Sequence, residues 1–494
     1  MASVAAYGVW LPRLRLARRT LADAVGWVNT GLKNAKGERT LANWDEDALT
    51  MAVEAARDAL PSADSRASIR SVLFASTTLP FADRSNATLL ASALGLADDV
   101  MTLDVTGSQH AGTSAMLQAC LSVTRGKTLV VAADKRLARP GSEQESSYGH
   151  GAAALVIDSG PGVAQVLGHE HVATDFVDHY RLTDQPFDYT LEERWIREAG
   201  WQQFVPKAVA QLLATTGITA KDIDHLIIPA PKALSRKLAA DCGIDVSRCV
   251  DALEDQCGHI GVGHALLMLA GALERAQPGE RMLLIGFGQG VDAILLHTTA
   301  EVAQFRPGQG LTQSLADKRM EPSYIRFLAH CGILQMDFGM RAERDTRTAH
   351  TVAWRRHAEI LTLTAGRCPH CHTVQYPKAK VCVAPDCRRP GDQTPVSLAD
   401  MAGRIKTFTE DWLAYSPRPP LMYGNVSFEG GGNVFIELAD FEPGEPAVGT
   451  ATRCVFRLKD VDRIRGFRRY FWKAAPVPSR QLASTPDVAT AGDR

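Results

Sequence analysis

GSQHAGTSAMLQA (residues 107–119) and CGHIGVGHALLML (residues 257–269) decide the fold. Each is a glycine-containing turn that runs into a helix of small and apolar residues. SVLFAST (71–77) precedes the first and DHLIIPA (224–230) the second, both short β-rich runs that follow an amphipathic helical pattern. TLVVAAD (128–134) and RMLLIGF (281–287) come after them, each a buried-strand run followed by a further apolar strand, AAALVI or DAILLH. Three segments thus recur in one order at an offset of about 150 residues, which marks an internal duplication. Strands alternating with helices predict an α/β architecture, and the duplication predicts two similar halves about a pseudo-two-fold axis. Two helix N-termini then meet near one pocket, where their N–H groups stabilise a thioester oxyanion or a thiolate.

The chain has 494 residues, enough for two to four domains, with 45% apolar and 22% charged residues, which excludes bulk disorder, collagen-like structure and coiled coil. Its 54 basic and 55 acidic residues imply neither duplex DNA nor an anionic membrane as partner. No apolar run approaches the roughly 20 residues of a membrane span, and the N-terminus lacks the order of a signal peptide, so the expectation is a cytoplasmic protein. Six of the ten cysteines are scattered while four crowd between Cys368 and Cys387, the usage of a metal site in a reducing compartment.

AYGVWLPRLRL (6–16), GERTLANWDEDALTMAVEAARDAL (37–60), AGTSAMLQA (111–119) and GHGAAALVID (149–158) resemble the bacterial and archaeal 3-hydroxy-3-methylglutaryl-CoA synthases of the thiolase superfamily. The resemblance spans about residues 1–300 and implies a duplicated five-layered αβαβα thiolase-like fold, split at residues 160/161, in a homodimer acting on acyl-CoA thioesters. It also implies four residues that this chain replaces. Gln109 stands where the family's acylating cysteine belongs, Thr77 at its acid/base glutamate, Pro229 at its histidine and His259 at its asparagine. A carboxamide forms no acyl-enzyme.

The leading expectation is therefore an acyl-CoA-binding protein that works with a separate thiolase-family subunit in making or cleaving carbon–carbon bonds. Imidazole is the chemistry that remains. His110, His150 and His259 lie in turns facing the pocket, and His259 as base would suit a non-covalent retro-aldol, Claisen-type or decarboxylating reaction on a CoA ester. Hydroxymethylglutaryl-CoA synthesis itself is the third reading. Cys120 and Cys257 read as buried thiols rather than displaced nucleophiles. Lys232, Arg236 and Lys237 follow the second-half strand, where the related synthases place cations against the cofactor's phosphates; a solvated helix face is the alternative.

After a partly helical connector (301–351), CPHCHTVQYPKAKVCVAPDC (368–387) offers Cys368, Cys371, Cys382 and Cys387 as two knuckles converging on one structural ion, zinc or iron. His370 and His372 are bystanders to a complete shell. Short β-rich runs separated by glycine and proline follow (403–415, 420–441, 449–460) and suggest a small barrel. Together with GRCPHC and YPKAKVC they resemble the acyl-CoA-associated family in which a rubredoxin-like zinc ribbon, here 352–392, is joined to an OB-fold, here 393–477. RIRGFRRYFWK (463–473) has the composition of a single-strand-binding groove, but nucleic acid would leave the thiolase-like half unexplained. The polar tail, 478–494, is expected to be disordered.

Overall fold

The duplicated segments become strands and helices in matching order. In the first half, Ser3–Trp10 pairs antiparallel with Gly151–Asp158, which pairs antiparallel with Lys127–Asp134. Lys127–Asp134 pairs parallel with Ile69–Ala75, and that strand parallel with Met101–Val105 at the edge. The second half repeats every step: Ala164–Ala173, Gly290–Thr298 and Arg281–Phe287 are antiparallel neighbours, His225–Ile227 joins in parallel, and a parallel bridge sets Leu226 against Cys249. Ser3 and Val4 pair with Gln165 and Ala164, so the halves join through equivalent first strands into nine strands.

The computed structural model describes residues 2–123, 126–190 and 192–478. Two compact units divide the chain, one ending at Met336 and the other beginning at Asp337. In the first, the helices Ala111–Leu121 and His264–Leu273 lie between the two halves of the sheet. Small and apolar residues on most of their faces, Ala115, Met116, Leu266, Met268 and Leu269 among them, pack with strand residues from both halves in one core. Strand side chains alternate between two layers: Met282 and Leu284 face the central helices, while Leu283 and Ile285 face Val205, Val209 and Leu212 of the outer helix Gln202–Thr216. The first half is covered in the same way by Ala48–Ala59, whose start is fixed by a reciprocal capping box between Asp47 and Thr50. Outer helices, sheet, central helices, sheet and outer helices make the five layers.

The partly helical connector, read from the sequence as packing onto one neighbour or both, is divided between the two units. Up to Met336 it is built into the first unit: Arg319–Met320 adds in parallel to Leu14–Ala17, Leu311 enters the central core, and Tyr324 donates to Glu145 over 2.9 Å.

In the second unit, Thr364–Arg367 lies between Val374–Gln375 and Thr394–Ser397. Five longer antiparallel strands follow, in the order Asn433–Glu437, Leu421–Phe428, Gly403–Asp411, Ala451–Asp462 and Phe467–Pro476. A parallel bridge from Leu438 to Ala474, with Ala439 N–H donating to the Ala474 carbonyl at 2.8 Å, brings the outer strands together and closes the sheet on itself. The tail expected to be disordered lies, from residue 479, outside the described residues.

Candidate active site and cysteine cluster

Asp134 ends an otherwise apolar strand and is fully buried. Its Oδ1 accepts from Thr77 N–H (2.8 Å), Ser76 Oγ (3.0 Å) and Thr78 Oγ1 (3.0 Å), and its Oδ2 from Thr77 Oγ1 (3.0 Å) and Val262 N–H (3.0 Å). One carboxylate thus ties the turn after strand Ile69–Ala75 to the turn that opens the second central helix, across the two halves. The approach leaves no room for a side chain at Gly261: φ is +69°, and a Cβ there would lie 2.2 Å from Asp134 Oδ2.

Gln109 sits just before the first central helix, and its Nε2 is 3.4 Å from Thr77 Oγ1. Asp134 is acceptor-only, so the Thr77 hydroxyl gives its proton to Asp134 and has only a lone pair left for Gln109. Gln109 must therefore present its NH2 to Thr77, which directs Oε1 the other way, where it is buried without a hydrogen-bond partner. On its far side Gln109 abuts the turn 286–290 (GFGQG). A Cβ on Gly288, φ +150°, would come within 2.9 Å of Gln109 Cβ, and Gln289 next to it holds φ +56°, an uncommon value for a residue with a side chain. Ser108 Oγ donates to the Gly288 carbonyl at 2.7 Å, which His110 Nδ1 also contacts.

The three histidines part company. His150 is fully buried and structural: its Nδ1 accepts from Ala42 N–H (2.9 Å), its Nε2 meets the Arg136 carbonyl (3.0 Å), and burial holds it neutral. His110 is pinned through Nδ1 to the Gly288 carbonyl, so Nδ1 carries a proton. His259 is held neutral by burial, with the neighbouring His264 adding to the effect. Its Nδ1 accepts from Gly261 N–H (3.2 Å) and it bonds the Pro229 carbonyl, so backbone groups engage the ring. It stacks on His264 at 4.4 Å, whose own pKa burial lowers to about 4. As a base, His259 would first have to release the Gly261 N–H.

A loop from the second half closes over this ground. The short hairpin His179–Tyr180 with Tyr189–Thr190 carries Arg181, which donates to the Thr77 carbonyl, and Asp188, which takes Arg136 Nε at 3.0 Å and Tyr148 Oη at 3.0 Å. Arg136 also stacks over the Tyr148 ring at 3.7 Å. Burial alone would raise the Asp188 pKa, but the Arg136 guanidinium outweighs it and holds the carboxyl below its ordinary range.

No cysteine of this unit has the setting of an activated thiolate. Burial pushes Cys120, Cys242 and Cys257 up to about 12 and raises Cys249 and Cys331 as well. Cys257 Sγ donates to the Leu253 carbonyl at 3.4 Å. Lys232, Arg236 and Lys237 lie exposed on the helix Lys232–Asp241, with Lys237 on Asp241 at 3.1 Å.

In the second unit the sulfurs of Cys368, Cys371, Cys382 and Cys387 all lie within 4.8 Å of one another. Cys368 and Cys387 are 3.9 Å apart, Cys371 and Cys382 3.5 Å. A tetrahedron with metal–sulfur arms of about 2.3 Å has edges of about 3.8 Å, so the four thiols fit one ion. Both knuckles turn alike, with His372 after Cys371 and Arg388 after Cys387 at φ +62° and +47°.

Asp134, Arg136, Asp188 and the 286–290 turn were not singled out from the sequence. Two signals were there: an aspartate closing the apolar run 128–133, and alternating glycines at 286, 288 and 290. Asp188 and Arg181 carry no local signal for this site, since their contacts with Arg136, Tyr148 and the Thr77 carbonyl form only when the hairpin folds back.

The layered, duplicated unit is that of known thiolase-type proteins. It matches a crystal structure of HMG-CoA synthase complexed with CoA, with TM-score 0.58 and 16% identity over 65% of this chain and 88% of that one. It also matches the HMG synthase of the curacin biosynthetic pathway in complex with apo donor-ACP, with TM-score 0.60 and 20% identity over 69% and 92%. The family model for the C-terminal part of 3-oxoacyl-[acyl-carrier-protein] synthase III matches residues 213–297. The fold class is thiolase-like α/β. The hydroxymethylglutaryl-CoA synthase of Aeropyrum pernix is 31% identical over 333 residues, 65% of this chain and 92% of that protein, and that of Archaeoglobus fulgidus 29% over 341 residues, 67% and 98%. The chain belongs to the hydroxymethylglutaryl-CoA synthase family.

Proposed function

We propose that the first unit binds an acyl-CoA thioester without being acylated by it, and serves acyl-CoA metabolism as subunit or partner of a thiolase-type complex that makes or cleaves carbon–carbon bonds. The observation that carries this reading is the oriented carboxamide of Gln109. It occupies the start of the first central helix, held by Thr77 and Asp134, while the five cysteines of the unit keep their protons. Lys232, Arg236 and Lys237 are the proposed contacts to the phosphates of CoA, being exposed on one helix and rich in donors. His110 and His259 are the imidazoles proposed to lie beside the bound thioester.

In the second unit, the closed five-stranded order supports an OB-fold, and the sulfur geometry supports a structural zinc held by Cys368, Cys371, Cys382 and Cys387. Met101 and Leu103 are about half exposed, at 49% and 48%, on the edge strand Met101–Val105, which supports a homodimer formed edge to edge. Calorimetric titration of the full chain with CoA and acetyl-CoA tests the reading. Binding that weakens at least tenfold on replacing Lys232, Arg236 and Lys237 together by alanine supports it. No binding of either ligand refutes it.

A further inference from the structure

The barrel of the second unit is closed at one point of its seam and open beside it. Leu438 bridges Ala474, and next to that bridge a cavity of about 340 Å³ lies between the strands Asn433–Glu437 and Phe467–Pro476. Its walls are aromatic: Tyr423, Phe435, Phe471 and Trp472, with Phe435 and Tyr423 5.3 Å apart and tilted by 60°. Phe435 is 66% exposed at the strand edge, an expensive place for a large apolar ring on a folded surface.

The same cavity has a charged end. Glu437 is partly buried between two ammonium groups, meeting Lys473 at 3.0 Å and pairing with Lys459 as well. Lys459 falls where the register between Ala451–Asp462 and Phe467–Pro476 shifts, Leu458 facing Tyr470 and Asp460 facing Arg469. A bulge of this kind re-aims one side chain, and here it turns a lysine to the cavity. The lining carries two cations and one anion, so a negatively charged group is the complementary guest, and the rings ask for a flat body beside it.

From these features we infer that this seam is a binding site for a small planar aromatic anion, whose ring lies against Phe435 and Tyr423 and whose acidic group meets Lys459. The chemistry is shared by free aromatic acids and by nucleotides, and the two are separable by experiment.

The full chain is titrated with 2-naphthoate, with adenosine monophosphate and, as the cationic counterpart, with 2-naphthylmethylamine, following heat and Trp fluorescence. One anion per chain, with no binding of the amine, is expected. Naphthoate alone points to a free aromatic acid, and the nucleotide to a cofactor end. Lys459→Met and Phe435→Ala are each expected to weaken binding about tenfold or more, the scale on which stacking and charge contacts act. Glu437→Gln is expected to tighten it, because the one negative charge of the lining, which competes with the anion, is then removed. That sign is opposite to what mere loss of structure would give, and circular dichroism checks that each variant is folded. Binding of neither anion, equal binding of anion and amine, or indifference to Lys459→Met overturns the assignment.

Discussion

Replacing Asp134 by asparagine tests whether one carboxylate holds the two halves of the site together. Both of its oxygens receive a backbone N–H, Thr77 on Oδ1 and Val262 on Oδ2. The three hydroxyls that also donate to it can turn round and accept instead, but an N–H cannot. Asparagine has one oxygen, so whichever way its amide sits, one backbone N–H is left facing an NH2. A buried donor stranded in this way costs about 1–3 kcal/mol. Changing the surviving bonds from charge-assisted to neutral adds about 1 kcal/mol. The sum is about 2–4 kcal/mol. For a unit of some 336 residues the unfolding entropy is about 0.7 kcal/mol per degree, which makes the fall in Tm about 3–6 °C. Differential scanning calorimetry reads the transition of the first unit, and acyl-CoA titration reads the site, where Thr77 no longer has to donate to Asp134 and Gln109 loses its imposed orientation. An Asp134→Asn protein whose first-unit transition stays within about 1 °C of the parent would show that the carboxylate does not bear this weight.

Four further outcomes are expected. Gln109→Cys places a thiol at a helix N-terminus, where its pKa falls, and intact-mass spectrometry after acetyl-CoA should show one acetyl group on the variant and none on the parent. Metal analysis should find one ion per chain, lost on Cys368→Ser, with the second unit melting lower and the first unchanged. Burial alone would raise the Glu437 carboxyl, but Lys473 and Lys459 outweigh it and hold it at about 2, against 4.5 unperturbed. Its contribution, about 3 kcal/mol, is complete above pH 4.5 and is lost as the pH falls towards 2, so acid titration of stability should show a slope there that Glu437→Gln lacks. Light scattering should give a dimer for the parent and a monomer for Leu103→Asp, since a charge on the edge strand disfavours edge-to-edge pairing.

The fold was legible because duplication repeats its own signal. Segments 71–77, 107–119 and 128–134 each had a counterpart, and apolar periodicity told strand from helix in both copies. The cysteine cluster was equally plain, since knuckle spacing is local. The site was legible only where a residue sits in a turn of the chain itself, as Gln109 and His259 do. Asp134 looked like the end of a strand, and its five donors come from two turns, one nearly sixty residues before it and the other 128 residues after. Arg136 and Asp188 meet only because a hairpin folds back, and the connector's role in the first unit rests on Arg319–Met320 finding Leu14–Ala17, some 300 residues away. Long-range polar pairing of this sort leaves no periodicity to read.

The central claim is that position 109 carries no acyl group. Incubating the pure protein with acetyl-CoA and acetoacetyl-CoA, then recording intact mass and products by mass spectrometry, addresses it directly. An unchanged protein mass and no hydroxymethylglutaryl-CoA, alongside measurable CoA binding, is the predicted result. An acetylated protein together with hydroxymethylglutaryl-CoA would contradict it and show that another nucleophile stands in for Gln109.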